Sequence, residues 1–268
     1  MRLLLRFLLI SFSIAGMISI LFYSKGMFYE DSYPQFEGQG TSEEPYLIQD
    51  KDDLKALRDL VNEGESFEDM YFLQSKDIDL EGEVWIPIGI FGSGNYFAGI
   101  YDGGAHCIEN LFVIHEEETS PSNGGFFGVL NGTVKNFGIE SGEISGDYVG
   151  TITSHGTART LILNCYNKAS VSGTGRAGGI CDNIGSGSVI NCVNYGQVNA
   201  PVAAQIVSYN AKNLMAVYPV EGAFTDYFTG IYIDMPISGN SPAEQLNAGI
   251  DMLLDDEVIT GEEATKWQ

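Results

Sequence analysis

Five short segments carry an asparagine at nearly constant spacing. They are "IENLFV" with Asn110, "VKNFGI" with Asn136, "ILNCYN" with Asn164, "INCVNY" with Asn191 and "AKNLMA" with Asn213. The intervals are 26, 28, 27 and 22 residues. An apolar residue stands two places before each asparagine (Ile108, Val134, Ile162, Val189, Ala211), and Leu111, Phe137, Cys165, Cys192 or Leu214 follows it directly. Glycine-rich turns, "GGFFG", "YVG" and "AGGI", lie upstream of three of them. A unit this short holds strands of about 4–6 residues and cannot close a core of its own. Stacked coils remove the difficulty, because each covers the apolar face of the next. Neighbouring strands in such a stack lie about 4.8 Å apart, so equivalent residues form ladders along the axis. An inward asparagine suits a corner, since its amide can bond to the amides above and below and avoid the cost of unpaired burial. The expected fold is all-β, a parallel β-solenoid. Propeller blades repeat at about 40 residues or more, and a β-sandwich has no need of an asparagine at fixed phase.

Charge narrows the function classes. The chain has 36 acidic and 13 basic residues, a formal net charge of −23. Such a body repels phosphate backbones and anionic membrane surfaces, which argues against nucleic-acid binding. The 33 glycines, 14 tyrosines and 15 phenylalanines suit strands joined by many turns.

Residues 1–26 stand apart. Arg2 and Arg6 precede an apolar run from Phe7 to Tyr23, at the short limit for a membrane-spanning helix. Two readings stay open, an uncleaved signal-anchor and a cleaved signal peptide. Both export the body and confine membrane contact to this segment. A linker is expected at 27–37, then the solenoid over 38–240. In "KDDLKALRDLVNE", residues 51–63, Leu54, Leu57, Leu60 and Val61 share one helical face. Asp50 is the expected N-cap and Gly64 the stop, so a helix covering the first coil is predicted there. Residues 241–268 are expected to form a C-terminal helical cap. Ser241, Pro242 and Glu244 make a capping box, Leu246, Ile250, Leu253 and Leu254 an apolar stripe, and Trp267 packs under the last coil.

The segments "AGGICDNIGSGSVINCVNYGQV" and "FFGVLNGTVKNFGIESGEISG" resemble the GLUG-motif repeats of bacterial surface proteins. Upstream, "WIPIGIFGSGNYFAGIYDGGAHCIENLFV" resembles the segment that opens such domains. The likeness spans roughly residues 38–200 and is degenerate in the coils, where "YVGTITSH" and "GGICDN" lack the usual second glycine. It implies a right-handed parallel β-helix of the pectate-lyase type. Some proteins with this motif are immunoglobulin A-specific zinc peptidases with H-E-x-x-H. Here "HEEET" supplies His115 and Glu116 but Thr119 where the second histidine belongs, so that activity does not carry over.

Three kinds of chemistry remain to weigh. His106, in "DGGAHCI", is expected to fill a structural turn. Asp77 and Asp79 project to the same strand face and Asp102 lies in the next unit, so these three are the candidate calcium ligands of a polysaccharide lyase or hydrolase. The basic residues, among them Arg159 and Arg176, share no repeat phase, and no convergent acid, base and stabiliser emerges. Tyr96, Phe97, Tyr101 and Tyr148 could stack on sugars if outward, or fill the core if inward. The acidic run at residues 116–118 is expected as a solvated loop tip. The expected function is a non-catalytic extracellular module with a structural, adhesive or binding role towards a glycan or surface protein. No catalytic residue and no cofactor are assigned. The alternative is a calcium-assisted polysaccharide lyase or hydrolase. Asn110, Asn136, Asn164, Asn191 and Asn213 are expected as one structural ladder, and Cys165 and Cys192 as free thiols stacked beside it.

Overall fold

The computed structural model describes residues 33–114, 123–210, 213–215, 218–219, 241–255 and 266–267. Segment 1–26, most of the expected linker, His115 and the acidic loop tip lie outside the described residues. Among the described residues no helix is long and apolar enough to cross a membrane.

The strands pair in parallel and stack as coils. One coil runs through Thr133–Ile139 on a first face, Gly142–Gly150 on a second and Thr153–Gly156 on a third, then returns to the first at Leu161–Leu163. The first face stacks Tyr46–Ile48, Tyr71–Gln74, Ile100–Glu109, Thr133–Ile139, Leu161–Leu163, Ser188–Ile190 and Asn213–Met215 in that order. The described residues form a mostly-β parallel solenoid of about six turns with two helices.

Three asparagines make the ladder. Asn136, Asn164 and Asn191 have φ of 51°, 56° and 50°, a left-handed region that asparagine tolerates better than most residues. Each bends the first-face strand, and each side chain is fully buried. Asn164 Nδ2 donates to Asn136 Oδ1 at 2.8 Å, and Asn191 Nδ2 donates to Asn164 Oδ1 at 2.9 Å. Asp102 starts the column, accepting from Asn136 Nδ2 at 2.9 Å. The expected five-member ladder therefore needs correction at both ends. Asn110 follows Ile108 and Glu109, which align with Ile78 and Asp79 one coil back, so it occupies a different corner. There its Nδ2 donates to Asp79 Oδ1 at 2.8 Å. Asn213 pairs with Ser188, three residues ahead of the position that stacks on Asn191. A similar flanking pattern had masked these shifts in phase.

A second ladder escaped the sequence reading. Asn167 Nδ2 donates to Asn194 Oδ1 at 2.7 Å, and both residues are buried. Each also bonds the backbone two residues on, closing the next turn: Asn167 with Ala169 and Asn194 with Gly196. The signal was present as N-x-x-N at 164/167 and again at 191/194.

The glycines mark a tight corner between the second and third faces. Gly150 aligns with Gly178, which aligns with Ala204. A Cβ on Gly150 would stand 2.4 Å from the Thr153 carbonyl oxygen and 2.5 Å from the Asp182 nitrogen. Both obstacles are backbone and cannot rotate away. Gly150→Ala is expected to destabilise by about 2–3 kcal/mol, the upper range for overpacking. Urea unfolding of the variant within about 0.5 kcal/mol of wild type, the scatter of neutral surface changes, would contradict the close approach.

The core changes in composition along the axis. Its early coils hold Trp85, Phe97, Tyr101, Phe126, Phe127 and Phe137, all buried. One place after each ladder asparagine the column then runs Phe137, Cys165, Cys192, so sulfur replaces a ring in the later coils. All four cysteines are buried free thiols. Burial pushes the Cys165 and Cys181 thiols well above their ordinary range, and burial with the nearby Asp77 charge pushes Cys107 up to about 12. A thiolate is the reactive form, so native protein should resist a thiol-specific dye, whereas denatured protein titrates four. Rapid reaction of a native thiol, or a Cys165–Cys192 crosslink by mass spectrometry, would contradict this arrangement.

Helix α1 spans Lys51–Glu63 and buries Leu54, Leu57 and Val61. Asp50 accepts from the Asp52 and Asp53 amides, and Gly64 terminates the helix at φ 115°. Asn62 ties α1 to the solenoid by donating to the Pro87 carbonyl and accepting from the Gly89 amide. Helix α2 spans Pro242–Asp255, with the Glu244 amide donating to Ser241 Oγ. Residues 241–268 were expected as an end cap with Trp267 under the last coil, but α2 and Trp267 pack along the side of the first face. Cys107, Tyr166 and Val193 form an outward column across the first face, and Leu246, Ile250 and Trp267 cover it. The Trp267 ring meets Tyr166 edge-on at 4.9 Å. The physical reason is the outward apolar column itself, which spans four successive coils, with Gly138 between Cys107 and Tyr166, and which needs cover.

Candidate functional site

The structure sets Asp102 apart from Asp77 and Asp79 and engages all three expected calcium ligands in corner bonds. Asp77 Oδ1 accepts from the Cys107 amide at 2.9 Å and lies 3.2 Å from His106 Nδ1. Asp79 Oδ1 accepts from the Glu81 amide at 2.7 Å as well as from Asn110, and these bonds hold its carboxyl below the ordinary range. Asp102 Oδ1 accepts from the Gly104 amide at 2.9 Å and from the ladder, while its Oδ2 faces Lys135 Nζ at 3.3 Å. Each carboxylate thus closes a corner. Asp77 and Asp79 do border an open depression of about 280 Å³ with Asp50, Lys51, Asp52 and Glu81, but Asp102 does not. Lys51 there bridges Glu81 at 2.5 Å and Glu83 at 3.1 Å. Among the described residues no group of three or more His, Cys, Asp or Glu is placed to hold a metal ion. His106 bonds a side-chain carboxylate in its turn rather than backbone, a detail of partner that the motif did not reveal.

The aromatics divide. Phe97 and Tyr101 are fully buried, whereas Tyr96 and Tyr148 are each 39% exposed. Arg159 pairs with Glu68 and Asp69 at the surface, far in role from any convergent site.

A different cluster forms where the second and third faces meet. Arg176 sits between two tyrosine rings, 4.4 Å from Tyr148 and 4.5 Å from Tyr209. Register explains half of it, since Arg176 is the direct neighbour of Tyr148 one coil on. Its Nε and Nη2 donate to the two Asp182 oxygens, each at 2.9 Å. Asp182 is 1% exposed and also accepts from Ser208 Oγ. A buried carboxylate demands such pairing, and the bidentate fork fixes the guanidinium plane. A second column lies alongside. The Phe91 ring meets His155 at 5.1 Å, His155 Nδ1 lies 3.4 Å from Asn183 Nδ2, and Asn210 Nδ2 donates to Asn183 Oδ1 at 3.0 Å. Phe91 and Tyr209 are half exposed. The sequence marked Tyr148 and Arg176 singly; nothing in their spacing brings in Tyr209, because it arrives from another face.

Burial holds the His155 pKa below its ordinary value, with Arg176 also lowering it against the pull of Asp182. A depressed folded-state value means the unfolded chain binds more protons. The His155 contribution to stability is therefore complete above about pH 6.5, the unfolded histidine value, and is lost as pH falls below it. His155→Gln should flatten that part of the stability–pH curve; an unchanged slope in urea titrations between about pH 5 and 7 would contradict the assignment.

The fold and its corners define the class, a parallel β-solenoid whose buried polar residues bond coil to coil. No known family model matches the chain. It is 31% identical over 148 residues to a "Putative Gly-rich membrane protein" of Evansella cellulosilytica, and 30% identical over 156 residues to "Halomucin" of Haloquadratum walsbyi. Those matches cover 51% and 54% of this chain but 15% and 2% of the two relatives. A solved structure described as a "putative immunoglobulin A1 protease" from Bacteroides ovatus gives a TM-score of 0.41 at 18% identity, covering 79% of this chain and 88% of that one.

Proposed function

We propose that this chain is a non-catalytic module of an exported surface protein, with a right-handed β-helix serving as a rigid scaffold for adhesion or ligand binding. The observation that carries the reading is the engagement of Asp77, Asp79, Asp102 and His106 in corner bonds, so that among the described residues no acid, base and stabiliser converge on one groove. The GLUG-like repeats support a surface role, and so do the names of the two sequence relatives, "Putative Gly-rich membrane protein" and "Halomucin". Right-handedness rests on the near-universal hand of parallel strand crossovers. Export rests on residues 1–26, whether kept as an anchor or removed. A glycan or another surface protein is the proposed partner, and membrane contact is confined to that N-terminal segment. The test is incubation of the purified chain with a panel of polysaccharides, with and without millimolar calcium. Release of reducing or unsaturated ends would overturn the non-catalytic reading and restore the calcium-assisted lyase or hydrolase, whose place would be the depression beside Asp77 and Asp79.

A further inference from the structure

The two columns on the lateral face combine features that a coil-stabilising role leaves unused. Tyr148 and Tyr209 are 39% and 43% exposed, each beside a buried strand neighbour, Val149 and Ser208. Arg176 uses Nε and Nη2 on Asp182, and its Nη1 edge has no acceptor among the described residues. Phe91, His155 and Asn183 stand beside it, adding a half-exposed ring and further donor and acceptor groups. Arg176 and the two tyrosines are held in place by their own contacts. Asp182 pins the guanidinium, the guanidinium pins both rings, and strand register pins their spacing along the axis. Ordered aromatic and arginine groups bind with little loss of side-chain freedom.

Charge selects among ligands. Arg176 is neutralised by Asp182, and His155 is held uncharged by burial near neutral pH. A locally neutral surface on a body of net charge −23 offers nothing to a polyanion, which the wider field repels. An uncharged, hydroxyl-rich polymer meets no such barrier. Its pyranose rings present C–H faces to aromatic rings and hydroxyl edges to Asn, His and Arg. Successive coils repeat about every 4.8 Å, close to the length of one sugar in an extended chain, so a polysaccharide lying along the axis meets each coil in a similar way.

We infer that Tyr148, Arg176 and Tyr209, with Phe91, His155 and Asn183 alongside, form a binding site for a linear uncharged polysaccharide running parallel to the solenoid axis. This deepens the non-catalytic binding reading and rests on it. The test is native affinity electrophoresis of the full chain, in a polyoxyethylene detergent that carries no sugar. The gels contain hydroxyethyl cellulose, xylan, glucomannan or dextran, with alginate and polygalacturonate as polyanions. At least one neutral polymer should retard the wild type, and Tyr148→Ala with Tyr209→Ala should weaken that retardation at least about tenfold, the scale of losing two central aromatic contacts. Tyr96→Ala, an exposed tyrosine elsewhere, should leave it unchanged. Circular dichroism and unfolding of the double variant guard against a folding defect, and Phe91→Ala supplies an independent variant should the pair fail to fold. Retardation by no neutral polymer, by the polyanions only, or equally in wild type and variants overturns the site. Retardation untouched by these variants leaves the binding-module reading standing, whereas sugar release in the turnover assay removes that reading and spares the site.

Discussion

Asn164→Ala is expected to lower stability by about 3–5 kcal/mol, a large fraction of what most domains possess. Asn164 is the middle rung of the ladder. Removing its amide takes a donor from Asn136 Oδ1 and an acceptor from Asn191 Nδ2, both at fully buried positions. Each buried polar group stripped of a partner costs about 1–3 kcal/mol. Alanine at φ 56° adds about 1–2 kcal/mol of backbone strain, because its Cβ crowds the following carbonyl. Asn191 keeps one compensation, a second bond from its Nδ2 to the Leu246 carbonyl at 3.0 Å. Asn164→Gly separates the two causes, since glycine accepts the left-handed angle but still deletes the amide. It should fall between wild type and alanine. Urea unfolding that puts Asn164→Ala within about 1 kcal/mol of wild type would falsify the ladder as a principal support of the stack.

Phe126→Ala should cost about 3–5 kcal/mol for a different reason. The ring is fully buried at the junction of the aromatic coils. It stacks on Trp85 at 5.3 Å with planes 4° apart, and meets Phe127, Phe137 and Tyr101 at 5.1, 5.0 and 6.0 Å. Deleting it leaves a cavity walled by rigid rings that cannot collapse into the space. The near-UV dichroism should weaken along with stability, because the Trp85 environment goes with it. Phe126→Leu should recover much of the loss by restoring volume. A loss below about 1.5 kcal/mol, typical of a well-tolerated swap, would show that the coils relax far more than their packing implies.

The two effects locate the limits of reading this chain from its sequence. Helix α1 was legible to its caps: Asp50, the apolar spacing of Leu54, Leu57 and Val61, and Gly64 are all local signals. The coil period was legible too, because Asn136, Asn164 and Asn191 recur within one residue of the same interval. Asn110 and Asn213 looked equally convincing and belong elsewhere. Their flanking apolar residues mimic the motif, while the bulge between Asp102 and His106 and the pairing of Asn213 with Ser188 shift the phase. Asp77 and Asp79 were legible as a same-face pair, but their roles depend on amides two to thirty residues away. The Tyr148–Arg176–Tyr209 column was the least legible, since its members come from three coils and two faces.

By itself the sequence determined that short strands, recurring glycines and buried-corner asparagines must stack as coils, because no single unit can close a core. It also determined where the flanking helices form, since capping and apolar spacing act within one helical turn. Tertiary structure alone decided which asparagines share a corner, that α2 lies along the side, and that Arg176 joins two tyrosines. The reason is register. Once coils stack in parallel, a bulge or a missing residue in one turn moves every later side chain to a new neighbour, and that sum over turns is not written in any local segment.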